Sequence, residues 1–258
     1  MPRINLNADL GEGYGPWTMG DDATMLAIVN SANVACGGHA GDPDVMRRTL
    51  RLAREHGVSI GAHPSYPDLR NFGRRAMSLA PAELENQLAA QIGALMGIAA
   101  MEGVRVSHVK PHGALNNQAC VDRALADTIC RTVRAIDPAL ILLAPAASQL
   151  VAAGHAAGLS VVEEIFADRA YLPDGQLVPR SQPGAMVHGA AACLAHVLKM
   201  LDAGALIATD GTRIPTPIGS ICVHGDSPGA IDVARHLRRE LAAIGYASVP
   251  LPALATGN

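Results

Sequence analysis

Short apolar, β-rich runs alternate with amphipathic stretches along the chain, and that alternation predicts the architecture. Seven runs read as strands: RINLNADL (3–10), ANVACGG (32–38), VSIGAHP (58–64), VRVSHVKP (104–111), ALILLAP (139–145), LSVVEEIF (159–166) and SICVHGD (220–226). The gaps carry helical patterns with legible ends. DPDVMRRTLRLAREHG opens with Asp42 as N-cap and Pro43 at the first helical position, and it stops at Gly57. Stretches 80–103 and 122–138 follow, then SQLVAAGHAAG, AACLAHVLKMLDAG and GAIDVARHLRRELAAIGY. A helix in each gap implies parallel strands joined by right-handed crossovers. The expected fold is therefore α/β, a TIM-like parallel (β/α) barrel of seven strands rather than eight, with residues 1–258 as one domain. An open doubly wound sheet would place GxGxxG after its first strand, and NADLGEGYG lacks that spacing.

Two insertions interrupt the rhythm. SYPDLRNFGRRAMS (65–78) and YLPDGQLVPRSQPGAMVHG (171–189) are rich in Pro, Gly and Arg and follow strands on the side where barrel enzymes build their sites, as lids or docking segments. ALIATDGTRIPTPIG reads as a hairpin turning at Asp210-Gly211.

Polar residues gather where the strands finish: Asn7, Asp9 and Glu12 at the first, Cys36 and His39 at the second, His63 at the third, and Lys110 and His112 at the fourth. Glu164, Asp168 and Arg169 mark the sixth, and His224 and Asp226 the seventh. Each has an ordinary explanation. Asp42 and Asp226 suit N-caps, His56, His155, His196 and His236 lie on helix faces, His108 suits buried structure, and Glu164 or Asp168 can pair with Arg169 or Arg180. Taken together they predict a catalytic mouth, because the carboxyl ends of parallel barrel strands converge on one pocket. Asp9 and the histidines suit general acid and base work, and Lys110 suits charge stabilisation.

Composition narrows the field. With 258 residues, 49% hydrophobic and 17% charged, the chain can bury a large core. A net charge of -3 without a basic cluster argues against nucleic acid as a partner. No run reaches membrane-spanning length, MPRINLNADLG does not read as a secretory signal, and five scattered cysteines without a CxxC pair suit a reduced, cytoplasmic protein.

NLNADLGEGYG, ANVACGGHAGDP, GAHPSYPDLRNFGRR, HVKPHGAL, EIFADRAY, RSQPGA and ICVHGDSP, in this order, resemble the LamB/YcsF family of 5-oxoprolinase A subunits over essentially the whole chain. One departure is visible: the family usually has tyrosine after KPHGAL, where Asn116 and Asn117 stand here. The resemblance implies a barrel of the glycoside hydrolase/deacetylase type and an enzyme that opens 5-oxo-L-proline to L-glutamate with ATP, together with subunits B and C. On that expectation Asp9, Lys110 and His112 are catalytic, with Asp9 or His112 as the base, and Asn7, Glu12, His39, Arg169 and His224 bind substrate. Lys110 and Arg169 would neutralise phosphate, and the turns at Gly11–Gly13 and Gly37-Gly38 would offer backbone N–H groups. The chain has no GxxxxGK[ST], so nucleotide would be held by another arrangement or in part by a partner. Related deacetylases imply a divalent metal on Asp9, His63 and His112. Two rivals remain open: a metal-dependent deacetylase acting without ATP, and a non-catalytic subunit that binds lactam or organises its partners.

Overall fold

The computed structural model describes residues 1–223 and 229–255. Its strands and helices run β1 (Arg3–Leu10), α1 (Asp22–Leu26), β2 (Ser31–Ala35), α2 (Pro43–Glu55), β3 (Ser59–His63), α3 (Pro81–Met101), β4 (Val106–Val109), α4 (Gly113–Ala119), α5 (Arg123–Ile136), β5 (Ile141–Pro145), α6 (Gln149–Ala156) and β6 (Val161–Phe166). The second part continues with α7 (Ala190–Ala203), β7 (Ala205–Ile207), β8 (Arg213–Pro215), β9 (Ser220–Val223), α8 (Ala230–Ala243), β10 (Ala247–Ser248) and α9 (Leu251–Ala255). Strands β1 to β6 pair in sequence order, β6 pairs with β9, and β9 returns to β1, all parallel. Among the described residues this closes a barrel of seven strands, as the alternation predicts. The hairpin at Asp210-Gly211 is β7 against β8, antiparallel and outside the barrel.

β1 illustrates the logic of the layers. Ile4, Leu6, Ala8 and Leu10 join the apolar core shared with the helices, while Asn5, Asn7 and Asp9 bond across the barrel interior. On the outside, α3 lays Leu84, Leu88, Ile92, Leu95 and Ala99 along one buried stripe at helical spacing. Each fully buried leucine or isoleucine in this layer contributes roughly 1.5–3 kcal/mol. The start of α2 is as expected: Asp42 accepts from the amides of Asp44 and Val45, with Pro43 at the first helical position. No helix among the described residues is long and apolar enough to cross a membrane.

The structure adds elements that the sequence pattern does not announce, namely α1, α4, β10 and α9. All are short, so a helical period has no room to develop. In α4 the run Asn116, Asn117 and Gln118 also obscures any apolar stripe.

Candidate active site

The interior of the barrel is filled by hydrogen bonds of one consistent polarity. At its floor Asn5 Nδ2 donates to Ser31 Oγ (2.8 Å) and Ser220 Oγ donates to Asn5 Oδ1 (2.7 Å). One layer up, Asn7 Nδ2 donates to Ser220 Oγ (2.8 Å) and Glu164 Oε2 (3.2 Å). Asn33 Nδ2 then donates both to Asn7 Oδ1 and to Asp9 Oδ1, each at 2.8 Å. His108 Nε2 completes the layer by donating to Asn33 Oδ1 at 3.0 Å. Burial holds His108 down at about 3, so its ring is neutral and carries its proton on Nε2. Gly61 makes room for that ring: a Cβ there would stand 2.2 Å from it.

Above this lattice sits Lys110, 2% exposed. Its Nζ donates to Asp9 Oδ1 at 3.0 Å, lies 3.4 Å from Glu164 Oε1, and touches Cys222 Sγ at 3.1 Å. Burial works against the ammonium form, but the flanking carboxylates of Asp9 and Glu164 outweigh it and hold Lys110 well above its ordinary range. The interior therefore presents a fixed positive charge directly under the mouth. Glu164 takes Lys110 as its ionic partner, which corrects the expected pairing with Arg169 or Arg180.

Three histidines close one corner. His63 Nδ1 lies 2.7 Å from the Lys110 carbonyl and His112 Nε2 lies 3.0 Å from the Phe72 carbonyl. A carbonyl only accepts, so each of those nitrogens carries the proton. The two remaining nitrogens, His63 Nε2 and His112 Nδ1, face each other at 2.9 Å, within hydrogen-bond distance. Burial, with His63 alongside, holds His112 well below the usual imidazole range, and His39 is depressed in the same way by burial and by His112. His39 stacks on His112 with centroids 3.6 Å apart and contacts Glu12 Oε1 at 3.2 Å, and its Nδ1 is buried with no bonding partner. Asp9 Oδ2 lies 3.3 Å from His63 Nε2. Glu12, His39, His63 and His112 offer one ligand atom each within 4.8 Å of one another, with Asp9 adjacent, a donor set that could hold a metal ion. Gly73 lets the 65–78 insertion close over this corner, since a Cβ there would meet His39 at 2.9 Å and His112 at 3.0 Å.

Asp9, His63, Lys110 and His112 all line one cavity of about 510 Å³. The two insertions supply its outer wall, with Arg74 from the first and Tyr171, Gln176 and Arg180 from the second, beside Arg169. The predicted residues are thus brought together, in layers. Asp9, Lys110, His112 and Arg169 reach the cavity, Glu12 and His39 stand in the imidazole corner behind it, and Asn7 lies wholly buried beneath. His224, and Asp226 as an N-cap, lie outside the described residues. Of the glycine turns, the Gly11 amide donates to Asp22 Oδ2 and the Gly37 amide to the Ala40 carbonyl, so these two amides are committed within the protein.

The sequence pattern does not single out Asn33 and gives His108 only a structural reading, and Asn116 stands out only as a departure from the family's tyrosine. A period of two is the available signal: His108, Lys110 and His112 recur on alternate positions, as do Asn5, Asn7 and Asp9. Asn116 has no such signal, because it sits in the unannounced α4.

The geometry agrees with what the chain resembles. A 5-oxoprolinase A subunit from Azoarcus sp. (strain BH72) is 60% identical over 252 residues, covering 98% of both chains. The crystal structure of a lactam utilization protein from Thermus thermophilus superposes with a TM-score of 0.89 at 42% identity, covering 96% of this chain and 99% of that one. A deacetylase, T48, solved with its substrate, shares the fold alone, with a TM-score of 0.52 at 14% identity over 100% of this chain and 92% of its own. The LamB/YcsF family model matches residues 4–256, and the chain belongs to that family.

Proposed function

We propose that this chain is the hydrolytic component of a 5-oxoprolinase, its A subunit, opening 5-oxo-L-proline to L-glutamate in an ATP-dependent reaction with partner subunits B and C. The observation that carries the reading is one cavity wall on which a buried ammonium, Lys110, adjoins the Asp9 carboxylate and the imidazoles of His63 and His112. The substrate comes from the names of the 5-oxoprolinase and lactam utilization relatives.

A lactam resists water because its nitrogen lone pair is delocalised into the carbonyl. Transfer of the γ-phosphoryl group of ATP to the amide oxygen makes the ring carbon electrophilic. Water adds there, the C–N bond breaks with its electron pair going to the ring nitrogen, and hydrolysis of the resulting acyl phosphate leaves glutamate and phosphate. In this scheme His112 is the better base of the two candidates. Its Nδ1 has the lone pair, whereas Asp9 Oδ1 is already bound by Lys110 and Asn33. Asp9 keeps Lys110 charged and in place, and Lys110 offsets negative charge developing on oxygen.

The imidazole corner also suits a divalent ion. Glu12, His39, His63 and His112 would hold it with Asp9 adjacent, and His112 Nδ1 would then serve as a ligand in place of its role as base. A bound divalent ion supplies Lewis acidity and lowers the pKa of water. Elemental analysis of the purified chain, with the melting temperature before and after chelation, tests the fit. One metal per chain and a lower melting temperature without it are expected, and unchanged melting with no metal removes the ion from the proposal.

The function is tested by glutamate release from 5-oxoproline, with and without ATP, for this chain alone and with its partner subunits. Release only in the ATP-supplied assembly is expected. Deacetylation of N-acetylated sugars by the chain alone, without ATP, would overturn the reading.

A further inference from the structure

Asn116 and Arg169 both line the cavity, and each has a buried side-chain atom with no hydrogen-bond partner: Asn116 Oδ1 and Arg169 Nε. Their residues are 5% and 6% exposed. Buried polar atoms in folded proteins are nearly always bonded, so two exceptions on residues that line one cavity point to a ligand that makes the missing bonds. One is an acceptor and the other a donor, which specifies the ligand further.

The surroundings hold both groups in place. Arg169 Nη2 donates to the Val178 carbonyl at 2.8 Å, and His196 Nε2 donates to the Arg169 backbone carbonyl at 2.9 Å, pinning the residue from behind. Burial, then the neighbouring Arg180, push Arg169 down to about 10, so it stays cationic at neutral pH while crowded by like charge. Asn116 Nδ2 donates to Asn117 Oδ1 (3.4 Å), and its oxygen has no partner.

We propose that Arg169 and Asn116 form the recognition pole of the site: Arg169 binds the carboxylate of a lactam acid, and Asn116 Oδ1 accepts the ring N–H. The substrate's identity rests on the lactamase reading above. Along one edge, 5-oxoproline presents carboxylate, N–H and carbonyl in order, an acceptor, a donor and an acceptor. Arg169, Asn116 and Lys110 offer a donor, an acceptor and a donor. This pairing directs the carbonyl toward Lys110 and the imidazole corner. A phosphate at Arg169 would leave the Asn116 oxygen unmatched, so the carboxylate is the better fit. The cavity of about 510 Å³ exceeds what a five-membered lactam fills, leaving space for a phosphoryl group beside it.

The test is a calorimetric titration of the full chain with 5-oxo-L-proline, 2-pyrrolidinone and N-methyl-5-oxoproline, followed by kcat/KM for the same compounds in the assembly. Loss of the carboxylate or of the N–H should each weaken binding on the order of 100-fold. Arg169→Gln should bring 5-oxoproline and 2-pyrrolidinone to equal affinity, Arg169→Lys should retain part of the preference, and Asn116→Leu should abolish only the penalty for N-methylation. The wild-type comparison decides the matter even if a variant misfolds: binding of 2-pyrrolidinone within about 3-fold of 5-oxoproline, or no 5-oxoproline binding at all, overturns the pole. Inorganic phosphate binding abolished by Arg169→Gln, with 5-oxoproline binding intact, overturns it as well. An assembly that binds with the expected selectivity but releases no glutamate refutes the lactamase reading and leaves the pole standing. Equal hydrolysis of 5-oxoproline and 2-pyrrolidinone does the reverse.

Discussion

At the floor of the barrel, Asn5, Ser31, Ser59 and Ser220 pass hydrogen bonds along a chain that ends on backbone carbonyls of Asn30 and Val249. At its mouth, His39 Nδ1, Asn116 Oδ1 and Arg169 Nε have no partner. Both regions are buried and polar, and they differ in whether donors match acceptors. A matched network adds specificity and rigidity, while an unmatched one costs stability unless something arrives to complete it. On the proposed function, the floor serves as scaffold and the mouth as the binding surface.

Breaking the mouth should give the largest change in activity. Asp9→Asn and His112→Gln are each expected to lower kcat on the order of 1,000-fold in the assembled enzyme, while Asp9→Asn also melts lower because buried Lys110 loses its nearest carboxylate. Steady-state kinetics with differential scanning calorimetry on the same preparations checks both parts. A variant that melts much lower but turns over normally would place Asp9 or His112 in the scaffold and erase the contrast.

Asn33 stands where the two regions join, and it should show both behaviours. Its amide donates to Asn7 and Asp9 and accepts from His108, so Asn33→Leu strips a bond from three buried groups at once. A loss of about 3 kcal/mol in unfolding free energy is expected, together with a kcat reduction of roughly 10-fold as Asp9 loses its fixed position. Urea denaturation and kinetics measure these effects separately. Stability unchanged from wild type would mean the floor network does not support the mouth.

The same contrast explains what the sequence makes legible. Strand order and the helices around the barrel follow from long periodic stretches such as α2 and α3, where burial on one face leaves a clear pattern. The mouth is legible as a place, because Asp9, His63, Lys110 and His112 each end a strand and parallel strands end together. Which nitrogen of His63 carries the proton is not legible, since it depends on the Lys110 carbonyl, brought there by pairing between β3 and β4. The split between Glu164 and Arg169 is hidden for a related reason. Glu164 points into the barrel toward Lys110, while Arg169, a few residues later, has left the strand and turned to the cavity.

The smallest effect is expected outside the barrel, where charges are fully matched but wet. Glu102, just past α3, receives Arg47 Nε at 2.5 Å and Arg51 Nε at 2.9 Å, while Arg54 Nη1 donates to its backbone carbonyl at 2.8 Å. The bond from Arg51, then that from Arg47, hold its carboxyl at about 2, below the ordinary 4.5. A depressed carboxylate stabilises the fold fully above its unfolded value and loses that contribution as pH falls from about 4.5 through about 2. The arginines are about half exposed, so water and salt screen most of the attraction. Glu102→Gln should therefore lower the melting temperature slightly at pH 7, with the gap to wild type narrowing as pH drops through that window and shrinking in high salt. A gap that stays constant between pH 7 and pH 3 would mean the ion cluster contributes through packing of the arginine stems alone, and matched charge would then have measurable value only where the barrel keeps water out.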